Sequence, residues 1–380
     1  MYESILDPLQ KLTSTLADSV AAFVSGKDIP ELRRVNQHPV SLPKDMYAHA
    51  DVQTEWWYYT GQCVTETKKR FGFELAFFKR RTDLDKFGVL PLKLIANPMY
   101  AAHFAISEID AEKFRYDHIR SFGTPLDTKV SMSDISYEVA IGDWSINGDG
   151  EKHILHATLP DGLIFEATLE AQKPPVLHGL DNQGVSERSE KQTSQHFSFT
   201  RMNVCGSITN GRRRRSFDGL GWMDREFGTW DQTHWDWFSI QLDDGTELMI
   251  YHLRDLNNGR REYSHGRFVN EDGSSIFLSN ADFDLTSTSE WTSAKTSTTY
   301  PSGWKIKVPS LEIVLEISPL FNQQELDTRG TSMVVYWEGA CSVAGKRNGK
   351  VVSGNSYVEL VGYHTMDRND IMSFFLGKYI

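Results

Sequence analysis

Short runs of alternating apolar and polar residues dominate the chain from about residue 52 onward, and helical periodicity almost disappears there. Tight-turn dipeptides separate the runs: Asp161-Gly162, Asn210-Gly211, Asp244-Gly245, Asp272-Gly273 and Asn348-Gly349. Asn or Asp followed by Gly accepts the positive φ angles that two-residue hairpins require. A period of two between such turns is typical of antiparallel sheets. The pattern therefore predicts an all-β fold, built as antiparallel sandwiches or barrels.

The alternation defines candidate strands, each bounded by turn residues. They cover residues 54–64, 70–80, 99–109, 135–141, 152–158, 163–170, 195–208, 235–243, 246–254, 261–269, 303–307, 311–317, 332–343 and 356–363.

The chain has 380 residues, more than one hydrophobic core usually organises, so we expect two domains. One run of strands ends near Gly228 to Gln232, which predicts domains at residues 31–231 and 232–380. Residues 173–194 lack periodicity and predict a long surface loop, either a lid or a disordered segment.

Before these domains, residues 1–30 contain apolar positions at three- and four-residue spacing, which predict an amphipathic helix over residues 3–25. Such a helix packs on its own protein, or it makes a peripheral membrane or partner contact.

The formal net charge of -11 disfavours binding to nucleic acid or to an anionic membrane, because both repel an acidic surface. Arg212 to Arg215 follow Asn210-Gly211 and predict an exposed hairpin turn. Cys63, Cys205 and Cys341 are far apart and predict reduced thiols. No run approaches the roughly 18 apolar residues of a spanning helix. We therefore expect a cytoplasmic protein; the sequence does not define its oligomeric state.

Two aromatic-acidic clusters, Glu55 to Tyr59 and Gly221 to Phe227, suggest a pocket, and Trp235 to Phe238 follow closely. In a strand, Glu55, Trp57 and Tyr59 share one face while Trp56 and Tyr58 share the other, so neither face suits water. A barrel with an apolar ligand inside and a second domain outside explains this pattern. Solid packing between the domains would also produce this pattern.

A carboxyl group in an apolar cavity has a raised pKa and can act as a general acid. Glu55 and Asp224 are the candidate acids, with Arg225 and Glu226 beside them. The alternative is a buried ion-pair cluster at residues 224–226 that ties the domains together. The candidate substrate-binding residues are Trp57, Tyr59, His103, Trp235, Trp237, Tyr251, His252 and Glu338.

The sequence contains no glycine-rich phosphate loop after a strand, no Gly-x-Ser-x-Gly elbow, no His-Glu-x-x-His motif and no Asp-rich calcium loop. We therefore expect neither a cofactor nor a metal site.

Five motifs together resemble one family. They are Asp51 to Gly61, Phe77 to Arg81, Gly221 to Glu226, Trp235 to Gly245, and Tyr336 to Gly339. Over residues 36–365 the chain resembles the CrtC/AttH family of lipocalin-like proteins. That family includes carotenoid 1,2-hydratases (hydroxyneurosporene synthases), proteins once labelled secreted hydrolases, and relatives of fungal decalin-forming Diels-Alderases.

The resemblance implies two lipocalin-like β-barrel domains with a hydrophobic pocket in or between them and no cofactor. Family members commonly carry Asp-His-Glu-Trp where this chain has Arg225 and Phe227. A guanidinium stays charged and only donates hydrogen bonds, so Arg225 cannot exchange protons as the family's histidine can. It could instead bind a carboxylate or enolate oxygen.

The resulting hypothesis is a cofactor-independent hydratase or cyclase for a hydrophobic polyene, terpenoid or polyketide. Asp224 or Glu55 is its expected proton donor, and the aromatic rings shape its pocket. A non-catalytic carrier of an apolar small molecule remains the main alternative, and an interaction protein recruited through the N-terminal helix remains the third.

Overall fold

A computed structural model describes residues 30–33, 39–83, 86–87, 90–91, 97–123, 129–180, 182–189, 192–230, 234–254 and 263–365. The predicted helix over residues 3–25, and with it the proposed membrane or partner contact, lies outside the described residues. Among the described residues no helix combines the length and the apolar character that crossing a membrane requires.

The first group of strands is β1 (Thr54–Thr65), β2 (Arg70–Arg80), β3 (Lys86–Phe87), β4 (Leu90–Pro91), β5 (Met99–Glu108), β6 (Lys113–Ser121), β7 (Val130–Met132), β8 (Tyr137–Ile141), β9 (Trp144–Gly148), β10 (Lys152–Thr158), β11 (Leu163–Ala171), β12 (Val176–Leu177), β13 (Val185–Ser189), β14 (Gln192–Asn210) and β15 (Arg213–Thr229). The second group is β16 (His234–Leu242), β17 (Glu247–Arg254), β18 (His265–Val269), β19 (Ser275–Ser279), β20 (Asp284–Thr292), β21 (Thr299–Val308), β22 (Ile313–Pro319), β23 (Glu325–Asp327), β24 (Val335–Arg347) and β25 (Lys350–Val361). Short 3-10 turns span Lys44–Met46, Ile109–Ala111 and Pro309–Leu311.

Among the described residues, two large curled antiparallel sheets contain all the strands except β3 and β4, as the alternation predicts. The first has the order β6-β5-β2-β1-β15-β14-β11-β10-β9-β8-β7, with β12 and β13 paired to β14, while β3 and β4 pair only with each other. The second has the order β19-β18-β17-β16-β25-β24-β22-β21-β20, with β23 paired to β24. The all-β, lipocalin-like fold class is confirmed. The domain boundary at residues 231 and 232 stays a prediction.

Each sheet curls around its own hydrophobic core, and a third apolar layer lies between the two sheets. Trp57, Tyr59 and Phe73 belong to the first core, and Phe238 and Trp304 to the second. The third layer contains Tyr58, Ala76, Trp222, Trp237, Tyr251 and Tyr357. Side chains alternate between the faces of β1, so one face packs inside the first sheet and the other faces the second sheet.

Close contact between the sheets depends on small and polar residues at defined positions. A Cβ atom added at Gly72 would lie 2.8 Å from the hydroxyl of Tyr357 and 2.9 Å from Cβ of Ala340, so only glycine permits this approach. The side-chain amide of Gln62 donates to the carbonyl of Cys341 at 2.8 Å. From the second sheet to the first, the side-chain amide of Gln241 donates to the carbonyl of Thr200 at 2.8 Å.

Two expectations need correction and two hold. The segment 173–194 is not one long loop, because β12 and β13 within it pair with β14. The central strand β15 was absent from the candidate strands. Arg212 to Arg215 do form an exposed hairpin end, with Gly211 at φ 59°. All three cysteines are free thiols, as predicted.

Candidate active site between the two sheets

A cavity of about 430 Å³ lies between the sheets, and we call it the large cavity. Trp56, Phe78 and Ala101 line it from the first sheet, and Trp235 and Val361 line it from the second. The volume is within the range of small-molecule sites. Aromatic rings form much of the wall, with Trp56 stacked on Trp235 at 6.0 Å between ring centroids. An apolar ligand of the size of a typical drug molecule fits such a space.

A second space of about 30 Å³, the small cavity, adjoins the large one. Four residues line both cavities: Trp56, Phe78, Trp235 and Glu359. Tyr58, His196, Asp224, Glu226, Trp237 and Tyr251 complete the wall of the small cavity. A space of this size accommodates about one water molecule when polar groups surround it. The arrangement therefore places a water-sized polar space beside a ligand-sized apolar one.

Asp224 accepts three hydrogen bonds at the wall of the small cavity. Nε2 of His196 lies 3.0 Å from Oδ2 of Asp224, and Nε1 of Trp222 donates to Oδ1 at 2.6 Å. The hydroxyl of Ser198 also donates to Oδ1. All three contacts use Asp224 as the acceptor, and a carboxylate accepts hydrogen bonds but cannot donate them. Asp224 thereby fixes the orientation of the His196 ring, with the Nε2 proton toward the carboxylate.

Strand pairing explains why these residues meet. His196 on β14 is the cross-strand partner of Glu226 on β15, and Ser198 is the partner of Asp224. All four side chains therefore lie on the face that looks toward the second sheet. Ser194 on the same strand donates a hydrogen bond to Oε1 of Glu226.

A cluster of buried imidazoles extends behind this wall. The rings of His178 and His196 lie 4.1 Å apart between centroids, and His265 lies 5.7 Å from Tyr251. Burial lowers the pKa of His178 well below its usual value, and it lowers the pKa of His265 to about 4. Both rings are therefore neutral near pH 7.

Three side chains at this wall could also act as ligands of a metal cation. His178, His196 and Asp224 have potential ligand atoms that all lie within 4.8 Å of one another. Imidazole and carboxylate are donors that zinc accepts. In this structure Nε2 of His196 contacts Oδ2 of Asp224 at 3.0 Å, and Nε2 of His178 lies 2.7 Å from Oγ of Ser198. No such grouping follows from the sequence.

The cavity walls contain six of the candidate catalytic and substrate-binding residues that the sequence analysis named. Asp224, Glu226, Trp237 and Tyr251 line the small cavity, His103 lines the large one, and Trp235 lines both. Nδ1 of His103 lies 2.8 Å from the hydroxyl of Tyr336. Glu338 lies behind the wall, 2.6 Å from the hydroxyl of Tyr58.

The other candidates lie elsewhere. Trp57 and Tyr59 are packed in the first core, where Nε1 of Trp57 donates to the carbonyl of Met46 at 2.8 Å. His252 lines neither cavity, and its Nδ1 lies 3.3 Å from the hydroxyl of Ser264. The substrate contacts expected of Trp57, Tyr59 and His252 are therefore not available in these cavities.

Glu55 and Arg225 meet inside the first sheet, on the opposite side of β15 from Asp224. Nη2 of Arg225 is 2.5 Å from Oε2 of Glu55, and Nζ of Lys79 is 2.8 Å from Oε1. His49 adds its backbone N–H and Nδ1, each at 3.1 Å from the same carboxylate. The guanidinium also lies 4.0 Å from the ring centroid of Trp57. All these groups are buried.

This geometry changes two expectations. Burial alone raises the pKa of Glu55, but Lys79 and Arg225 outweigh it, and the pKa lies well below its usual value. Glu55 is thus a carboxylate at neutral pH and not the proton donor expected of it. Arg225 lines neither cavity, so it does not reach a substrate there. Neighbouring residues on a strand point to opposite faces, so Arg225 points into the first sheet while Asp224 faces the second. The Glu55–Arg225 ion pair therefore stabilises the first sheet and does not link the two domains.

His196, His178, Ser198 and Glu359 are site residues that the sequence analysis missed. His196 was inside a candidate strand, but only the pairing of β14 with β15 shows that its side chain lies on the same face as Asp224. His178 was inside the supposed loop. Glu359 is the cross-strand partner of Glu338, which was a candidate residue. The strand alternation alone did not identify Glu359 as a site residue.

Comparison with known proteins identifies the family. A family model described as AttH-like matches residues 33–363. Dehydratase asqC of Emericella nidulans is 22% identical over 265 residues, which are 67% of this chain and 75% of that protein.

Two solved structures share the fold. A crystal structure of an AttH protein from Nitrosomonas europaea is 26% identical with a TM-score of 0.75 and covers 88% of this chain and 99% of that one. Kievitone hydratase from Nectria haematococca is 16% identical with a TM-score of 0.66, covering 88% of this chain and 96% of that one. Since the AttH-like match runs through both sheets and every residue of the two cavities except His364 and Thr365, this chain belongs to the AttH-like family.

Proposed function

We propose that the chain is a hydratase or dehydratase that acts on a hydrophobic small molecule bound in the large cavity. The observation that carries the proposal is the water-sized small cavity, which has an imidazole-carboxylate pair in its wall and adjoins a ligand-sized aromatic space. The names of two relatives agree in reaction class, since one is a dehydratase and the other a hydratase. A polyene, terpenoid or polyketide is the expected kind of substrate.

The proposed chemistry runs through His196. Because its Nε2 proton points to Asp224, the lone pair is on Nδ1, which is the form of the ring that accepts a proton. In dehydration the ring takes a proton from the carbon next to the hydroxyl-bearing carbon. The C–O bond then breaks, a C=C bond forms, and the imidazolium returns the proton to the departing hydroxyl as water. Hydration is the same sequence in reverse, and Asp224 keeps the ring oriented throughout.

Ring closure and simple carriage use only the large cavity, so they differ from water chemistry in a measurable way. Incubation in water enriched in oxygen-18, followed by mass spectrometry of the extracted small molecules, distinguishes the three. A hydratase incorporates the heavy oxygen and a dehydratase gives a product that is lighter by one water molecule. A cyclase gives an isomer of unchanged mass, and a carrier returns its ligand unchanged. A panel of apolar alcohols and conjugated alkenes serves as the set of candidate substrates.

Replacing Val334 with tryptophan is expected to weaken binding of the substrate found in that panel at least tenfold, because Val334 lines the large cavity and an indole there fills it. Isothermal titration calorimetry gives the binding constant. Val351→Trp is the matched control, since Val351 is 80% exposed and distant from the cavity walls. Unchanged binding in Val334→Trp would show that the substrate binds elsewhere.

A further inference from the structure

The indole N–H of Trp237 is a buried donor that the chemistry above does not use. Trp237 on β16 is 3% exposed, and its Nε1 atom has no hydrogen-bond partner among the residues that the structure describes. The neighbouring indoles differ. Trp222 donates to Asp224 at 2.6 Å. Trp235 donates to Glu359 at 2.7 Å. Because a buried donor that stays unpaired is costly, the exception at Trp237 indicates that a ligand or a water molecule supplies the acceptor.

The position of Trp237 associates this donor with the small cavity. Trp237 lines the small cavity and does not line the large one. Its ring packs edge to face against Tyr58 at 5.3 Å between centroids, and against Trp222 at 5.9 Å, so two neighbouring rings fix its orientation. His196 and Asp224 line the same space. Since that space holds about one water molecule, an oxygen atom bound in it lies beside both the indole and the proposed base.

The remaining polar groups of this wall select the kind of oxygen that fits. Asp224, Glu226 and Glu359 contribute carboxyl groups, and the described residues of the wall include no lysine or arginine. A hydroxyl group suits such a wall, because its oxygen can accept from Trp237 while its own O–H donates to an acceptor. A carbonyl oxygen has no proton to donate to these acceptors. A carboxylate would place an unpaired negative charge among other carboxyl groups.

We propose that the indole N–H of Trp237 binds the reacting oxygen in the small cavity. That oxygen belongs to the hydroxyl group that leaves in dehydration, or to the water molecule that adds in hydration. The reacting carbons then carry no adjacent carboxylate, because the same wall rejects one. This inference rests on the proposed function and assigns Trp237 as a further catalytic residue of that reaction.

This donor stabilises the charge that forms as the C–O bond breaks. His196 takes the proton from the carbon next to the hydroxyl-bearing carbon, the C=C bond forms, and the electron pair of the C–O bond moves onto the oxygen. The N–H of Trp237 stabilises the developing negative charge there until the imidazolium returns its proton and one water molecule results. The indole keeps its own proton throughout, because its N–H acts only as a hydrogen-bond donor. In hydration the same contact positions the water molecule that adds.

The test uses three probes of similar shape: 2-naphthylmethanol with a hydroxyl group, 2-methylnaphthalene without one, and 2-naphthoate with a carboxylate. Nitrogen-15 NMR observes the indole N–H groups of the 10 tryptophans, and the signal that is missing from Trp237→Phe belongs to Trp237. We expect the alcohol to move the proton signal of Trp237 downfield and the hydrocarbon to leave it nearly in place. The carboxylate probe should bind at least tenfold more weakly than the alcohol.

Isothermal titration calorimetry measures what the N–H contributes to binding. In Trp237→Phe the preference for the alcohol over the hydrocarbon should fall about three- to tenfold, the usual contribution of one neutral hydrogen bond. A change in packing affects both probes and cancels in this ratio. Trp304→Phe is the matched control, because Trp304 is 2% exposed in the second core and lines neither cavity, so the ratio should not change. Trp237→benzothienylalanine replaces the N–H with sulfur, keeps the ring shape, and should show the same fall if Trp237→Phe does not fold.

Four outcomes separate the two proposals. If the alcohol and the hydrocarbon move the Trp237 signal equally and the preference is unchanged without the N–H, the donor faces the ring of Tyr58. The oxygen site is then wrong, and the hydratase proposal stands. Equal binding of the carboxylate and the alcohol overturns the exclusion of an adjacent carboxylate. A preference for the alcohol that depends on Trp237, with neither water addition nor water loss in the substrate panel, supports the hydroxyl site and contradicts the proposed function. If none of the probes binds the unmodified protein, the large cavity does not admit apolar ligands and both proposals fail.

Discussion

Replacing Arg225 with methionine is expected to lower the free energy of unfolding by about 3–5 kcal/mol. The guanidinium is 0% exposed and binds a carboxylate, Glu55, that is also 0% exposed. Removing one partner leaves the other charge buried with only part of its compensation, and this is more costly than the loss of the hydrogen bonds alone. Urea unfolding at pH 7, followed by circular dichroism, measures the change.

The matched control is Arg70→Met. Arg70 pairs with Asp110 at 2.9 Å, but both side chains are substantially exposed, so the expected loss is about 0–1 kcal/mol. The double variant Glu55→Gln with Arg225→Met should lose less than the sum of the single losses, because each single variant already removes the same Glu55–Arg225 contact. Lys79 loses its carboxylate partner both in Glu55→Gln and in the double variant. Equal losses in Arg225→Met and Arg70→Met would contradict a structural role for the buried pair.

The same cluster has a defined pH dependence. The folded-state pKa of Glu55 lies well below its usual value near 4.5, after Lys79 and Arg225 outweigh burial. A carboxylate with a lowered pKa stabilises the fold above its unfolded pKa, and this stability is lost as the pH falls through the folded pKa. The difference between the unmodified protein and Glu55→Gln should therefore be largest near neutral pH and shrink below about pH 4.5.

Most strands could be predicted from the sequence because each buries one or both faces in a regular alternation. The prediction for β2, residues 70–80, coincides with the observed strand, and that for β10, residues 152–158, does too. Strand β15 was missed for a physical reason. Its alternation is interrupted by three arginines at its start and by Gly219, Gly221 and Gly228 along it. In the structure it pairs with β1 on one side and with β14 on the other.

The site was only partly predictable because it depends on which face of each strand meets the second sheet. The sequence correctly separates Trp57 and Tyr59 from Trp56 and Tyr58, but it does not say which pair faces the core of the first sheet. In the structure Trp56 and Tyr58 line the cavities. Likewise Asp224 and Arg225 are neighbours in sequence and lie on opposite faces, so a shared role for residues 224–226 could not hold.

Replacing His196 with alanine is expected to lower turnover by about 10²–10⁴-fold, the usual contribution of a general base. The ring is the proposed proton acceptor, and its orientation depends on the 3.0 Å contact with Asp224. Asp224→Asn should produce a loss of similar order, because the amide can donate to Nε2 and so stabilises the tautomer whose lone pair points away from the substrate. Steady-state kinetics with the substrate from the oxygen-18 panel measure both effects.

His103→Gln is the matched control for these two variants, because His103 is a buried imidazole that lines the large cavity and contacts Tyr336 instead of Asp224. A change there should alter KM while kcat stays within a few-fold, since the fit of the substrate in the cavity is affected and proton transfer is not. His196→Ala and Asp224→Asn should show the reverse, with kcat falling and KM nearly constant. Because Asp224 and His196 act as one unit, the double variant should be little slower than either single variant. A multiplicative loss in the double variant would mean that the two residues act independently, and the assignment of Asp224 as the group that orients His196 would then be wrong.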